Sequence, residues 1–208
     1  VLLYLPAAMP DPVSSPGELA EAVTKECGRI LRASEGGAFV LFTSYALLNR
    51  VHDALAADPA LSALQLFRHE PGEASAILEK FRRTRRGVLL GTLTFWQGID
   101  VPGEALRCVV LTRLPFDVPD HPVAEARAEA IRSRGGDPFT DDSLPEAILT
   151  FRQGFGRLIR TREDRGLVAA LDPRLQTRGY GEAFLDSLPP CRRSASFEEA
   201  ERFLRSRP

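Results

Sequence analysis

Long apolar runs are missing from this sequence, and cysteine is scarce. No stretch approaches the roughly 20 consecutive apolar residues that a membrane-spanning helix needs, so the sequence predicts no such helix. The three cysteines, Cys27, Cys108 and Cys191, stand far apart, and this spacing fits neither a zinc site nor a disulfide framework. We therefore expect reduced thiols, two of them in the core, in a cytoplasmic protein.

An excess of positive charge is also missing. Lys25 and Lys80 are the only lysines, and the formal net charge of the chain is -1. A domain with this balance does not attract nucleic acid by its overall charge, so any such contact must come from local groups. The first residue, Val1, is not methionine and stands in what has the composition of a strand end, so we expect a piece of a longer protein.

Short apolar runs alternate with amphipathic stretches along the whole chain. Continuous apolar runs rich in β-formers predict strands buried on both faces, and apolar residues at helical spacing predict helices between them. The predicted strands cover residues 38–44, 64–67, 87–92, 106–114 and 166–172. The predicted helices cover 16–32, 45–57, 73–85, a stretch ending near 135, 144–160 after a capping box at Ser143, and a last helix capped by Ser196. This alternation predicts one α/β domain over residues 1–208, with a mostly parallel sheet and helices on both faces.

The segment QGFGRLIR, near the end of a predicted helix, gives the strongest chemical signal. Gln153, Gly156, Arg157 and Arg160 fall at positions i, i+3, i+4 and i+7, which line one helix face. That face would hold an amide, a glycine that lets a ligand come close, and two guanidinium groups suited to phosphate oxygens. The alternative is an arginine-rich helix face that contacts only solvent.

Two further segments follow predicted strands, where open α/β sheets place ligand-binding groups. In GTLTFWQGIDVPG, Thr92 stands at the strand end, Gly98 permits a close backbone approach, and Asp100 can accept a hydrogen bond from a ribose hydroxyl. The alternative there is an ordinary turn. In FTSY, the hydroxyls of Thr43 and Ser44 and the first amides of the next helix can hold a phosphate, and the alternative is a plain helix cap.

Other polar residues give weaker signals. The basic segment 80–86 ends a predicted helix, where positive charge favours the helix dipole, and contact with DNA phosphates is the alternative. His52, His69 and His121 are isolated along the chain and do not form a metal-binding pattern.

The three segments FTSY, GTLTFWQGIDVPG and QGFGRLIR together resemble motifs IV, V and VI of the C-terminal motor domain of superfamily-two helicases. The closer match is the DinG and XPD branch, to which the stretch LTRLPFDVPDHP, residues 111–122, is also similar. The resemblance covers nearly the whole chain. It implies a RecA-like three-layer domain that forms one half of an ATP-dependent DNA helicase motor.

The resemblance also implies which residues meet ATP. Arg157 and Arg160 would reach the γ-phosphate of an ATP molecule bound on the other motor domain, with Arg160 as the arginine finger. Gln153 would orient the phosphate or the attacking water, and Gly156 would leave room for the nucleotide.

The remaining matched residues would contact the ribose of ATP and the nucleic acid. Asp100 would meet the ribose, and Gly98 would let its loop close on the nucleotide. Thr43, Ser44 and Thr92 would contact the backbone of single-stranded DNA.

One family feature is missing, because neither GxxxxGK[ST] nor an acidic DEAH-like box occurs in the chain. Phosphoryl transfer needs a phosphate cradle, a Mg²⁺ ligand and a water-positioning group. We therefore expect ATP and Mg²⁺ to be held mainly by a P-loop motor domain outside this chain, which itself has no metal site. Two other hypotheses stay open: a free-standing nucleic-acid-binding module without ATPase function, and a regulatory domain that docks on a separate ATPase subunit.

Overall fold

The computed structural model describes residues 1–92, 95, 106–116, 122–158 and 165–206, and its centre is a seven-stranded sheet. Strands β1 to β7 are Leu2–Tyr4, Ala38–Leu41, Gln65–Arg68, Gly87–Gly91, Cys108–Leu111, Leu167–Ala170 and Arg192–Ser194. Their order across the sheet is β3-β4-β2-β5-β6-β1-β7, and every neighbouring pair is parallel. The predicted α/β class is confirmed.

Within the same residues, eight α-helices connect the strands. Helices α1 to α8 are Pro16–Ser34, Tyr45–Ala56, Ala74–Arg82, Pro122–Ser133, Leu144–Phe155, Arg174–Thr177, Gly181–Asp186 and Phe197–Arg205. A 3-10 turn, Pro59–Leu61, follows α2, and a π-helical turn, Phe139–Ser143, leads into α5.

Alternate residues of the central strands point to opposite sides of the sheet and build two separate cores. Phe39, Leu89 and Val109 face one side, on which α3, α5 and α7 pack. Val40 and Val110 face the other side, on which α1, α2 and α8 pack. The sheet is therefore the middle of three layers, which confirms the three-layer prediction.

The two edge strands are more polar than the centre. On β3 Gln65 is exposed, and on β7 Arg192 and Arg193 are both exposed. Charged and polar edges discourage pairing with another chain. The same composition explains why the sequence did not predict β7, since that strand has no apolar residue to signal burial.

Two features around α5 were predicted wrongly. Ser143 makes no capping hydrogen bond through its side chain, because the chain enters α5 from the π-helical turn and not from an extended cap. Helix α5 ends at Phe155 and not at Arg160. The amide of Leu158 then bonds to the oxygen of Phe155 at 3.3 Å in a tighter turn, and the buried Leu158 side chain draws the chain out of the helical path.

Candidate functional site

Three neighbouring strands end side by side at the carboxyl edge of the sheet, and a polar residue follows each of them. His69 follows β3 directly, Thr92 follows β4 directly, and Thr43 comes two residues after β2. Pairing continues beyond the strands, since the amide of Phe42 donates to the oxygen of Gly91 at 2.8 Å. The register of β3, β4 and β2 therefore brings these three side chains to one edge.

His69 is the centre of a group of contacts at this edge. Its Nδ1 lies 2.9 Å from Thr92 Oγ1 and 3.3 Å from the hydroxyl of Tyr45, and its ring meets the ring of Phe95 edge-on at 4.7 Å between centroids. Only 3% of His69 is exposed, and burial lowers its pKa. His69 is isolated along the chain, but the pairing of β3 with β4 places it beside Thr92.

The FTSY segment forms the start of α2. The Ser44 hydroxyl accepts from the amide of Leu47 at 3.3 Å, so the predicted helix cap is present. Thr43 is half-buried, and within the described ranges its hydroxyl has no hydrogen-bond partner. Thr92, in contrast, is buried and bonded to His69. Thr43 is thus the predicted nucleic-acid residue whose hydroxyl makes no hydrogen bond within the described part of the chain.

The glutamine and first arginine of QGFGRLIR lie at the opposite end of the sheet. Arg157 donates its Nε–H to the backbone oxygen of Gln153 at 3.1 Å. Leu158, the next residue, is so close to Gly166 that a Cβ added there would lie 2.6 Å from Leu158 Cδ2. Gly166 directly precedes β6, so this turn lies near the amino ends of the strands. The structure therefore does not bring Gln153 and Arg157 next to the hydroxyl groups of the carboxyl edge.

Two details of this turn bear on ligand binding. The Oε1 atom of Gln153 is buried and, in the part of the chain that the structure describes, has no hydrogen-bond partner. A Cβ added to Gly156 would meet only the backbone oxygens of Arg152 and Gln153, at 3.3 and 3.4 Å. These distances are short for a Cβ, so the tight turn favours glycine at this position.

Three of the predicted site residues cannot be compared with the structure. Gly98, Asp100 and Arg160 lie outside the described residues, so their roles stay predictions.

A second polar cluster joins the ends of β5 and β6. The carboxylate of Asp172 accepts from the Arg174 guanidinium at 2.9 and 2.7 Å and from the amide of Leu114 at 2.8 Å. Burial, together with the charge of Arg174, lowers the pKa of the half-buried Arg113. Because Asp172 is 3% exposed and its bonds are internal, we assign this cluster to holding the two strand ends together.

The basic segment 80–86 lies at the amino edge of the sheet, since β4 begins at Gly87. Its arginines are exposed, and three of them form ion pairs: Arg82 with Glu79 at 2.7 Å, Arg83 with Glu79 at 3.9 Å and Arg86 with Glu35 at 3.9 Å. These positions are at the other end of the strands from Thr92.

Cys27 and Cys108 are buried, as predicted, and burial raises the pKa of Cys108 to about 12. The described residues contain no group of three His, Cys, Asp or Glu side chains that could hold a metal ion. They also contain no helix that is long and apolar enough to cross a membrane.

Comparison with known proteins shows the family to which the chain belongs. Residues 27–191 match the helicase C-terminal domain family. The chain is 45% identical over 152 residues to the 3'-5' exonuclease DinG of Bacillus subtilis, which covers 72% of this chain and 16% of that protein. It is 41% identical over 175 residues to the ATP-dependent DNA helicase YoaA of Escherichia coli, covering 84% and 27%. It is 38% identical over 189 residues to the ATP-dependent helicase DinG of Mycobacterium tuberculosis, covering 91% and 28%. The chain thus spans only a sixth to just over a quarter of these relatives.

Solved structures share the fold. S. tokodaii Xpd4 superposes with a TM-score of 0.61 at 19% identity, over 93% of this chain and 38% of that one. S. cerevisiae Dbp5 bound to RNA and ADP BeF3 superposes with a TM-score of 0.58 at 15% identity, over 98% and 44%. These likenesses confirm the RecA-like architecture that the motifs predict.

Proposed function

Because the chain belongs to the helicase C-terminal domain family, we propose that it is the second motor domain of an ATP-dependent DNA helicase. A P-loop domain elsewhere in the same protein would bind ATP and Mg²⁺, and this chain would complete the site from the other side. The observation that carries the proposal is the turn after α5, where Gln153, beside Arg157, has a buried acceptor that no group within the described residues bonds.

The unsatisfied Oε1 of Gln153 favours a ligand at this turn. A buried polar atom without a partner costs about 1–3 kcal/mol, so native proteins keep few of them, and each calls for an explanation. A water molecule held for attack on the γ-phosphate would donate the missing hydrogen bond.

The arginines would supply the positive charge. Arg157 is held through its Nε by the oxygen of Gln153, which sets the plane of its guanidinium group. Planar guanidinium groups suit phosphate oxygens, which they bind through two parallel hydrogen bonds. Arg160, three residues further along, would act as the arginine finger on the charge that develops at the γ-phosphate. Mg²⁺ on the P-loop domain would neutralise charge on the same phosphates.

The carboxyl edge would carry single-stranded DNA. Thr43, Ser44, Thr92 and the first amides of α2 offer neutral hydrogen-bond donors, which fits a domain with a net charge of -1. The nucleotide turn and this edge lie at opposite ends of the strands. Closure of the motor onto ATP would therefore move the DNA-contacting edge as part of the same rigid sheet.

The proposal is tested by comparing the isolated chain with the full-length protein. The isolated chain is expected to hydrolyse no ATP above background and to bind single-stranded DNA weakly, with an affinity that falls further as salt rises. Mg²⁺-dependent turnover by the pure chain would contradict the proposal.

Substitution of Gln153 in the full-length protein tests the site itself. Gln153→Ala should lower kcat for DNA-stimulated ATP hydrolysis while the Kd for single-stranded DNA stays near normal. Gln65→Ala, at an exposed position of β3, is the matched control and should change neither quantity. Full turnover by Gln153→Ala would remove the observation on which the proposal depends.

A further inference from the structure

The Nδ1 atom of His69 is approached by three possible donors. The Thr92 hydroxyl lies 2.9 Å away, the Tyr45 hydroxyl 3.3 Å away and the Thr92 amide nitrogen 3.5 Å away. An amide N–H can only donate, so the approach of the Thr92 amide favours the tautomer in which Nδ1 accepts and the ring proton is on Nε2. His69 is thus a neutral imidazole whose δ nitrogen faces two hydroxyl groups.

The two hydroxyls compete for one acceptor. A ring nitrogen has a single lone pair in the plane of the ring, so one well-aligned hydrogen bond at a time is possible. Thr92 is closer and buried, whereas Tyr45 is 38% exposed at the start of α2. In the observed state the Thr92 hydroxyl is the donor to Nδ1, and the Tyr45 hydroxyl is the neighbouring donor that can replace it.

This competition affects any contact between Thr92 and a phosphate. A hydroxyl that donates its proton to His69 cannot donate it to a phosphate oxygen as well. When Thr92 turns to a phosphate, the buried Nδ1 would lose its partner unless another donor takes the place. Tyr45 can fill that place by a small movement, because its ring already lies 5.5 Å from the imidazole between centroids.

We propose that His69 is a positioning residue for the nucleic-acid edge, whose δ nitrogen accepts from Thr92 in the unbound state and from Tyr45 when Thr92 donates to a phosphate of single-stranded DNA. The inference rests on the proposed function in one respect, the identity of the ligand. The exchange links α2, which begins at Tyr45, to β4, which ends beside Thr92, through a residue that itself touches no ligand.

Two substitutions of His69 distinguish the effect of its Nδ1 hydrogen bond from the effect of its side-chain volume. Asn places an amide oxygen near the position of Nδ1, whereas Gln places its amide near the position of Nε2 and leaves Nδ1 without a substitute. In the full-length protein, His69→Gln should weaken binding to an oligo(dT) probe by about threefold to tenfold, the range expected for one hydrogen bond. His69→Asn should recover most of this loss. The concentration of DNA that half-stimulates ATPase should rise for His69→Gln, with kcat at saturating DNA unchanged.

A double-mutant cycle tests the exchange without altering His69. Tyr45→Phe should weaken DNA binding when Thr92 is present and have little further effect when Thr92 is replaced by Val, because the exchange then no longer occurs. Additive losses would overturn the proposal. His52→Gln on α2 is the control and should behave as wild type.

The possible outcomes distinguish a failure of this inference from a failure of the proposed function. If the wild-type protein binds no single-stranded DNA, the proposed function fails and this inference with it. If wild type binds DNA and His69→Gln binds equally well, only the inference fails. Equal losses by His69→Gln and His69→Asn, accompanied by equal losses of thermal stability, would show a purely structural role and would also overturn it.

Discussion

Arg157 donates its Nε–H to the backbone oxygen of Gln153 at 3.1 Å, so the first arginine of QGFGRLIR is anchored to the end of its own helix. An arginine held in this way presents its guanidinium plane in a fixed direction. Lysine has no Nε–H at this position and cannot keep the anchor.

We therefore expect Arg157→Lys and Arg157→Ala to behave alike in the full-length protein. Both should raise the KM for ATP, because a group near the ground-state phosphate contributes to nucleotide binding. The check is steady-state ATPase across an ATP titration, with Arg178→Ala, an exposed arginine paired with Asp11, as the control. A wild-type KM for Arg157→Lys would mean that charge alone suffices and the anchor is irrelevant.

The turn after α1 should tolerate no side chain. Gly36 has a φ of +96°, and a Cβ there would lie 2.6 Å from the Cα of Arg86. Gly72 has a similar φ of +87° but nothing within 4 Å. Gly72→Ala should cost about 1–2 kcal/mol of unfolding free energy for the left-handed backbone alone. Gly36→Ala should cost clearly more because backbone atoms must shift, and urea denaturation of both variants measures the difference.

The cluster at the ends of β5 and β6 predicts a large loss of stability. Removing one partner of a buried ion pair leaves the other charge unpaired and costs about 3–5 kcal/mol. Asp172→Ala should show a loss of this size, since the Asp172 side chain is 2% exposed and Arg174 has no other carboxylate among its bonds in the described structure. Glu201→Ala breaks the more exposed pair with Arg205 and should stay within about 0.5 kcal/mol of wild type. Equal effects would show that burial of the Asp172 pair is unimportant.

His69 predicts a pH dependence of stability. Its pKa in the folded protein is lowered by burial, whereas in the unfolded chain a histidine titrates near about 6.5. Below that pH the unfolded state binds more protons, so stability falls as pH decreases. The stability linked to neutral His69 is complete above pH about 6.5 and is lost as pH falls toward the lowered folded value.

Urea denaturation at neutral and at mildly acidic pH measures whether the free energy of unfolding falls as pH decreases. Wild type should lose stability on going from neutral to mildly acidic pH, and His69→Asn should remove part of that slope because asparagine does not titrate. His52→Asn is the control and should keep it. A slope that is the same in His69→Asn and wild type would show that His69 is not the responsible group.

The sequence was sufficient to predict the layers of the fold. The runs 38–42 and 88–90, inside two of the predicted strands, are apolar at every position, and in a protein of this size that pattern arises when a strand is covered on both faces. Four of the five predicted strands are shorter than expected, because buried residues continue beyond the regular strand. Thr112, for example, directly follows β5 and is fully buried. Buried residues continue beyond the ends of regular strands, so the hydrophobic pattern alone does not locate the strand ends.

The site was predicted less completely. Local patterns identified Ser44 as a helix cap and Gln153 and Arg157 as neighbours, since these depend on nearby residues. The end of α5 at Phe155 depends on Leu158 packing beside Gly166, and the partnership of His69 with Thr92 depends on strand order. Contacts of that kind come from the tertiary fold, and spacing along a single chain does not contain them.

We propose that this chain brings an arginine finger to ATP bound on another domain, and that Arg160 is this finger. A finger stabilises charge that develops in the transition state more than charge in bound ATP, so its loss lowers kcat more than it raises KM. The fork of arginine matters as well as its charge, so Arg160→Lys should recover only a small part of the loss.

The most direct measurement is DNA-stimulated ATPase activity and single-stranded DNA affinity of Arg160→Ala in the full-length protein. We predict a loss of kcat on the order of 10³ or more, with the Kd for DNA near the wild-type value, because in the proposed function the finger contacts ATP and not the nucleic acid. A variant that kept near-normal kcat and lost DNA affinity would contradict the account and would make the turn after α5 a nucleic-acid surface.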